Sequence, residues 1–345
     1  MHRRRLLNPK ELPKHIGSSF RELNLQSSSP QTKDSSEFIR ISRRAMATQF
    51  EVFLPTGTPD AIQVGEFALG KIDSWEEKLS VYRENSEITL LNKLGYFEKV
   101  PLDPRIYKLL ELADKISRDT GRGFDITTGK LIKLWGFFKG PKRLPDFLEI
   151  EATLAETGNE CLQFEKETNS VKFNSPNIEI NLGAIGKGFA LDQTGLELTA
   201  KFKINSYLMH GGYSSILAGE PPPNSTKGWQ ISIRHPWATK IIGNVYLRNN
   251  ALGISATTYQ HFEKNGRKYG HILNPKTGYP ASGIASCAVC APNATLADAL
   301  STAFFVLGKE AAEEYCKRNK HIGAVILPDD PNSEVFIVGK IDVEL

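Results

Sequence analysis

The order of its hydrophobic patterns restricts this chain most. Ile62, Val64, Phe67, Ala68, Ile72, Trp75 and Leu79 recur at helical spacing with charges between them, which predicts an amphipathic helix over 60–79. A second helix is expected from Pro104, suited to a first turn, to Thr120, with Gly121 as its C-terminal cap. Alternation in Gln49-Phe-Glu-Val-Phe-Leu-Pro55 predicts a strand that stops at proline, and ordered structure is expected from Phe38. Further strands are expected at 170–174, 178–182, 206–210, 229–234 and 244–248, with helices over 186–202 and 295–318. Strands gathered in runs, without regular βαβ alternation, favour an α+β fold over a doubly wound parallel sheet.

Residues 1–37 stand apart. Gln26-Ser-Ser-Ser-Pro-Gln-Thr-Lys-Asp-Ser-Ser36 is polar and aperiodic and buries too little to offset its ordering entropy, so a mobile polar arm is expected ahead of a folded domain over 38–345. The net charge of +4 is small and partly terminal, in Arg3, Arg4, Arg5, Lys10 and Lys14, which argues against a nucleic-acid surface. After that charged start only Leu6 and Leu7 are apolar, short of the roughly 7–15 residues of a signal peptide. No run is long enough for a membrane span, so the chain is expected to be cytoplasmic. Cys161 and Cys316 are isolated, and Cys287 and Cys290 lie in an apolar run that reads as a buried strand. Residues three apart on a strand point to opposite faces, so this pair would make a poor metal clamp or redox couple.

Four segments carry candidate chemistry. In Asn181-Leu-Gly-Ala-Ile-Gly-Lys-Gly-Phe-Ala-Leu-Asp192 an apolar strand breaks into a glycine-rich turn that enters a helix. Close backbone approach and exposed amides suit an anion such as a pyrophosphate, and Lys187 adds a point charge. The segment matches neither common phosphate-loop pattern, and a plain strand-to-helix turn accounts for it equally. In Ala294-Thr-Leu-Ala-Asp-Ala-Leu-Ser-Thr-Ala-Phe-Phe-Val-Leu-Gly308, Asp298 and Thr302 share one helix face, about 5–6 Å apart at Cβ. A carboxylate and a hydroxyl together suit a hard cation such as magnesium; local capping by Asp298 and a bond from Thr302 to the preceding turn are the alternatives. His271, heading the turn-rich segment that runs to Pro280, suits proton transfer near neutrality. Gly123-Phe-Asp125 follows a helix and offers a ring and a carboxylate to a planar ligand, although Phe124 and Trp135 fit a core role as well.

In this order the segments resemble the FAD:protein FMN transferase (ApbE) family, from about Met46 to Gly308. The resemblance runs through Met46-Ala-Thr48, Ser80-Val-Tyr82, Ser86-Glu-Ile88, Asn92, Gly123-Phe-Asp125, Trp135-Gly-Phe137 and the 181–192 loop. It continues through Gly211-Gly-Tyr-Ser-Ser215 with Gly219, His271-Ile-Leu-Asn-Pro-Lys-Thr-Gly278 and Ala297-Asp-Ala-Leu-Ser-Thr302. It implies an α+β fold of two related tunnel-fold-like (T-fold-like) halves with the flavin in the cleft between them. The implied activity is magnesium-dependent transfer of FMN from FAD to a Ser or Thr hydroxyl of an acceptor protein, releasing AMP. FAD pyrophosphatase activity giving FMN and AMP, and flavin binding without catalysis, are the alternatives.

The resemblance further implies that Met46, Tyr82, Asn92, Gly123, Phe124, Asp125, Asn181, Lys187 and Ile272 line the FAD site. The backbone oxygen of Ala184, with Asp298, Ser301 and Thr302, would hold Mg2+. His271 and Lys187 would be catalytic, His271 by deprotonating the acceptor hydroxyl. The acceptor would carry a Ser/Thr flavinylation motif, as in a redox-complex subunit. Asn181 and Asn274 stand where acids are frequent in that family, Ser255-Ala-Thr-Thr-Tyr259 where a Ser-Gly step is usual, and Lys130 where proline is common.

Overall fold

Eight strands with alternating apolar faces assemble one antiparallel sheet. In spatial order they are β1 (Phe38–Ala45), β2 (Thr48–Pro55), β6 (Leu208–Gly211), β7 (Ser215–Ala218), β10 (Asn250–Ala256), β13 (Ile284–Ala291), β14 (Gly323–Pro328) and β15 (Phe336–Gly339). Every neighbouring pair is antiparallel. Two smaller sheets comprise β3 (Val100–Pro101), β5 (Ser170–Phe173) and β4 (Leu162–Glu165), and β16 (Val343–Glu344), β9 (Ile241–Leu247) and β8 (Trp229–Arg234); β11 (His261–Lys264) and β12 (Arg267–Gly270) form a hairpin. The helices are α1 (Ala61–Leu79), α2 (Glu87–Leu94), α3 (Pro104–Asp119), α4 (Gly129–Leu134), α5 (Phe147–Leu154), α6 (Gly186–Glu197), α7 (Ala294–Leu307) and α8 (Lys309–Arg318). This computed structural model describes residues 37–223, 225–236, 240–257, 261–330 and 333–345. Apart from Glu37, the expected N-terminal arm lies outside the described residues, as does Tyr259.

The large sheet divides into two units with the same order of elements. β1 and β2, then α1 and α6, then β6 and β7 make one; β10 and β13, α7 and α8, then β14 and β15 make the other. The first unit carries α2 to α5 and the β3–β5–β4 sheet as an insertion between its two helices. The α+β class and the pair of related halves expected from the sequence are therefore both present. Their seam runs along β7 against β10 and α6 against α7.

Each face of the sheet buries its own core. Phe50, Val52, Met209, Cys287 and Val289 pack beneath α1, α6 and α7. Phe53, Leu208, Ile216, Ala288 and Cys290 face Trp229, Ile231 and Val245 of the small sheet. Cys287 and Cys290 thus lie on opposite faces, as a period of two requires. Among the described residues no helix is long and apolar enough to cross a membrane.

Two sequence expectations need correction. Residues 178–182 are not a strand: Glu179 makes one parallel bridge to Thr128, and the Asn92 side chain bonds both backbone groups of Ile180, at 2.7 and 2.9 Å. The helix expected over 295–318 is two, because Gly308 takes φ 86°, which ends α7 and turns the chain into α8.

At the seam, backbones approach closely enough that only glycine fits. A Cβ on Gly188 would lie 2.1 Å from the Ala294 carbonyl oxygen, and one on Gly253 would lie 2.3 Å from the Ala297 carbonyl group. Gly70, inside α1, has open space around the same position. Gly253→Ala is therefore expected to destabilise the fold by about 1–3 kcal/mol, and Gly70→Ala to stabilise it by about 0.4–1 kcal/mol. Urea denaturation of the two variants would measure both; an equal effect would mean that β10 and α7 are not in tight apposition.

Candidate active site

The first amides of a helix have no partner within the helix, and at the seam each helix finds one on the other. Asp192, midway along α6, accepts the backbone N–H groups of Ala294 and Thr295 at 2.8 Å, together with the Thr295 hydroxyl. In return, Asp298 of α7 accepts the Gly188 N–H, in the first turn of α6, at 2.8 Å. Ser215 of β7 donates to the same Asp298 oxygen, Oδ2, at 2.8 Å. Both carboxylates therefore sit where the helix dipole favours negative charge.

This arrangement leaves two oxygens available. The Ala184 carbonyl lies just ahead of α6, whose first intrahelical bond runs from the Phe189 N–H to the Ile185 carbonyl, and it accepts no backbone hydrogen bond among the described residues. Asp298 Oδ1 likewise accepts none from them. One turn along α7, Ser301 and Thr302 present hydroxyls, with Ser255 of β10 at 2.9 Å from Ser301 Oγ and 3.2 Å from Thr302 Oγ1. Asp298 is buried, and desolvation raises its pKa from 3.8 to about 6, against the pull of Lys187, Ser215 and Gly188. Carboxylate, carbonyl and hydroxyl oxygens are the donor set of a hard cation, and Asp298 meets the helix that follows the glycine-lysine loop at Gly188.

The other expected residues fall into three groups. Gly123 is packed so closely on α7 that a Cβ there would meet the Leu307 side chain at 2.3 Å. Phe124 is only 2 % exposed, so its ring is core and offers no stacking face. The Asp125 carboxylate holds Thr127 and Arg122, and burial pushes its pKa up. Asn181 joins this turn through its N–H to the Ile126 carbonyl at 2.7 Å, while its side chain accepts the Gly183 N–H at 2.8 Å. Asn92, with its amide committed to Ile180, and Asn181 thus fix the entry to the Gly-Lys loop by neutral hydrogen bonds. Asn274 does the same for its own turn, accepting the Lys276 N–H, and Lys130 pairs with Glu156.

Met46 and Ala47 form the tip of the β1–β2 hairpin with φ of 46° and 61°. A two-residue hairpin favours such angles, but side chains make them strained; Glu76 of α1 holds the tip by accepting the Met46 N–H at 2.9 Å. Tyr82 stacks on Phe138, with centroids 4.5 Å apart and planes 6° from parallel. The adjacent Phe137 lies edge-on to His271 at 6.5 Å. Trp135 anchors the far end of the His271 turn by donating to the Gly278 carbonyl at 2.8 Å, and Ile272 packs against the helix-side core. Sequence reasoning missed Asp192, Ser215, Ser255 and Glu76 as supports; the first three stand inside segments already singled out.

The ApbE family model matches residues 46–326. A FAD:protein FMN transferase of Buchnera aphidicola subsp. Schizaphis graminum is 29% identical over 282 residues, covering 80% of this chain and 82% of that one. Another, of Haemophilus influenzae, is 28% identical over 306 residues, covering 85% and 87%. Among solved structures, the ApbE protein of Thermotoga maritima has a TM-score of 0.80 at 28% identity, covering 87% of this chain and 97% of that one. The apo form of the Pseudomonas stutzeri flavinyl transferase ApbE has a TM-score of 0.75 at 26% identity, covering 88% and 94%.

The raised pKa of Asp298 has a measurable sign. Between pH 3.8 and about 6 the folded chain keeps a proton on this group that the unfolded chain has released, so its contribution to stability declines as pH rises through that window. Asp298→Asn keeps an acceptor for both hydrogen bonds and removes the titration. With metal chelated, the stability of the Asn variant relative to wild type is expected to rise by on the order of 2–3 kcal/mol from pH 4 to pH 7. A difference independent of pH in urea titrations would show that this carboxyl does not titrate there.

Proposed function

The chain belongs to the ApbE family, and from that premise we propose that residues 38–345 transfer the FMN half of FAD to a Ser or Thr hydroxyl of an acceptor protein, releasing AMP. The reading rests above all on the junction of α6 and α7, where an amide-rich helix start, Lys187 and a set of oxygen donors converge. It offers a pyrophosphate the positive end of α6, the Lys187 charge and a cation partner, while the Gly186 and Gly188 amides are already bonded to Leu182 and Asp298.

The donors fit a magnesium ion, with Asp298 Oδ1, the Thr302 hydroxyl and the Ala184 carbonyl as its protein ligands. When bound, the ion would neutralise charge on the pyrophosphate oxygens. Lys187 adds a second positive charge on the same side of the junction, where it already acts on Asp298. The acceptor oxygen attacks the FMN-side phosphorus, its proton passes to His271, and the bond from that phosphorus to the oxygen bridging to AMP breaks. Phe137 holds the His271 ring from one side, and Trp135 steadies the turn that carries it. The flavin is read onto the surface bounded by Tyr82, the Met46 hairpin tip and the 123–125 turn, with Ile272 beside it. Gly123, Phe124, Asp125, Asn92 and Asn181 serve that surface by shaping its backbone.

Incubating the purified chain with FAD, magnesium and a Ser/Thr acceptor peptide tests the proposal, with AMP release and peptide mass as readouts. The expected result is one FMN gained per peptide with an equal amount of AMP. AMP without modified peptide would replace transfer by hydrolysis, and intact FAD would overturn catalysis altogether. His271→Ala is expected to slow transfer by about 10²–10⁴-fold while FAD binding persists.

A further inference from the structure

The hydroxyls beside Asp298 have a definite polarity, and we infer from it that Ser255 is a positioning residue that aims the lone pairs of Thr302 at the cation site. The inference rests on the magnesium reading above and deepens it. A carbonyl oxygen can only accept, and Ser301 Oγ lies 2.9 Å from the Asp298 carbonyl, so the single Ser301 proton goes there. In the 2.9 Å contact between Ser255 and Ser301, the donor is therefore Ser255. Its only proton is then committed, and in the 3.2 Å contact between Ser255 and Thr302 the donor is Thr302. The chain of hydroxyls runs one way, from Thr302 through Ser255 and Ser301 to a backbone carbonyl. Thr302 Oγ1 also lies 3.4 Å from that carbonyl, the longer and weaker of the two contacts open to its single proton.

A hydroxyl coordinates a hard cation through its lone pairs and has to send its proton elsewhere. Ser255 supplies that destination. Ser301, which is 2 % exposed, both donates and accepts within the chain and so is a link in it. β10 reaches α7 closely enough to deliver Ser255 because position 253, two residues earlier on the strand, has no side chain. Partners that orient a ligand in this way are worth about 10–100-fold in metal affinity.

The test is a magnesium titration of the full chain with ADP, which offers a diphosphate but no flavin to transfer, followed by calorimetry and by thermal unfolding. Ser255→Ala is expected to weaken magnesium binding about 10–100-fold, leave ADP binding without metal unchanged, and be largely rescued in Ser255→Thr. Ser301→Ala, which removes the acceptor of the Ser255 proton, is expected to weaken magnesium binding by a smaller factor, and gives an independent measurement should Ser255→Ala fold poorly. Wild-type magnesium affinity in either alanine variant would overturn the relay and leave the metal site standing. Absence of any magnesium response in the wild-type chain would remove the metal site and the relay with it.

Discussion

Two carboxylates exchanged between two helices hold this molecule's active junction together. Asp192 closes the start of α7, and Asp298 takes an amide from the start of α6. Each helix thereby supplies an acceptor for first-turn amides of the other, in α7 beside the Asn293 cap, and the two halves of the sheet are fixed in register at the place where chemistry is proposed. The arrangement is costly in isolation: burial penalises the charged form of both acids. Backbone amides and hydroxyls offset much of that penalty for Asp192, with three hydrogen bonds. Asp298, bonded through one oxygen, is compensated less completely, and the residue is the reservoir of negative charge that a cation would relieve.

Around that junction the first unit differs from the second chiefly by what it carries between its helices. The insertion from α2 to α5 brings Asn92, the 122–128 turn and the Trp135 to Phe138 segment over the start of α6 and the His271 turn. The second unit contributes α7, the hydroxyl chain and β10, and passes directly from α7 to α8 at Gly308. A repeated scaffold thus gives rigidity and the oxygen donors of the proposed cation site, while a one-sided insertion gives the surface assigned to the flavin.

Much of this was legible before any coordinates. The period of 3.6 located α1 and α3, and the 298/302 spacing put a carboxylate and a hydroxyl on one face because local helix geometry alone decides that. The apolar alternation of Ile178, Ile180 and Leu182 misled because alternation reports burial, not pairing; a side chain, Asn92, supplies the hydrogen bonds that a neighbouring strand would have given. Phe124 looked equally suited to stacking or core because a single residue's chemistry does not reveal which way its ring faces. Asp192, Ser215 and Ser255 were out of reach for a different reason. Their partners are 102, 83 and 46 residues away in sequence, and no periodicity connects them.

The stacked pair of Tyr82 and Phe138 bears on the thermodynamics of occupancy. Tyr82 is 52 % exposed at its edges, but one ring face is already covered by another aromatic. A planar ligand that takes that face exchanges one ring contact for another and dries less new apolar surface than an open platform would allow. Its binding would then carry a muted heat-capacity change, because that quantity follows apolar area removed from water. Affinity shifts accordingly toward the diphosphate end of the ligand, where charge and not area does the selecting, and the aromatic end is left to decide orientation.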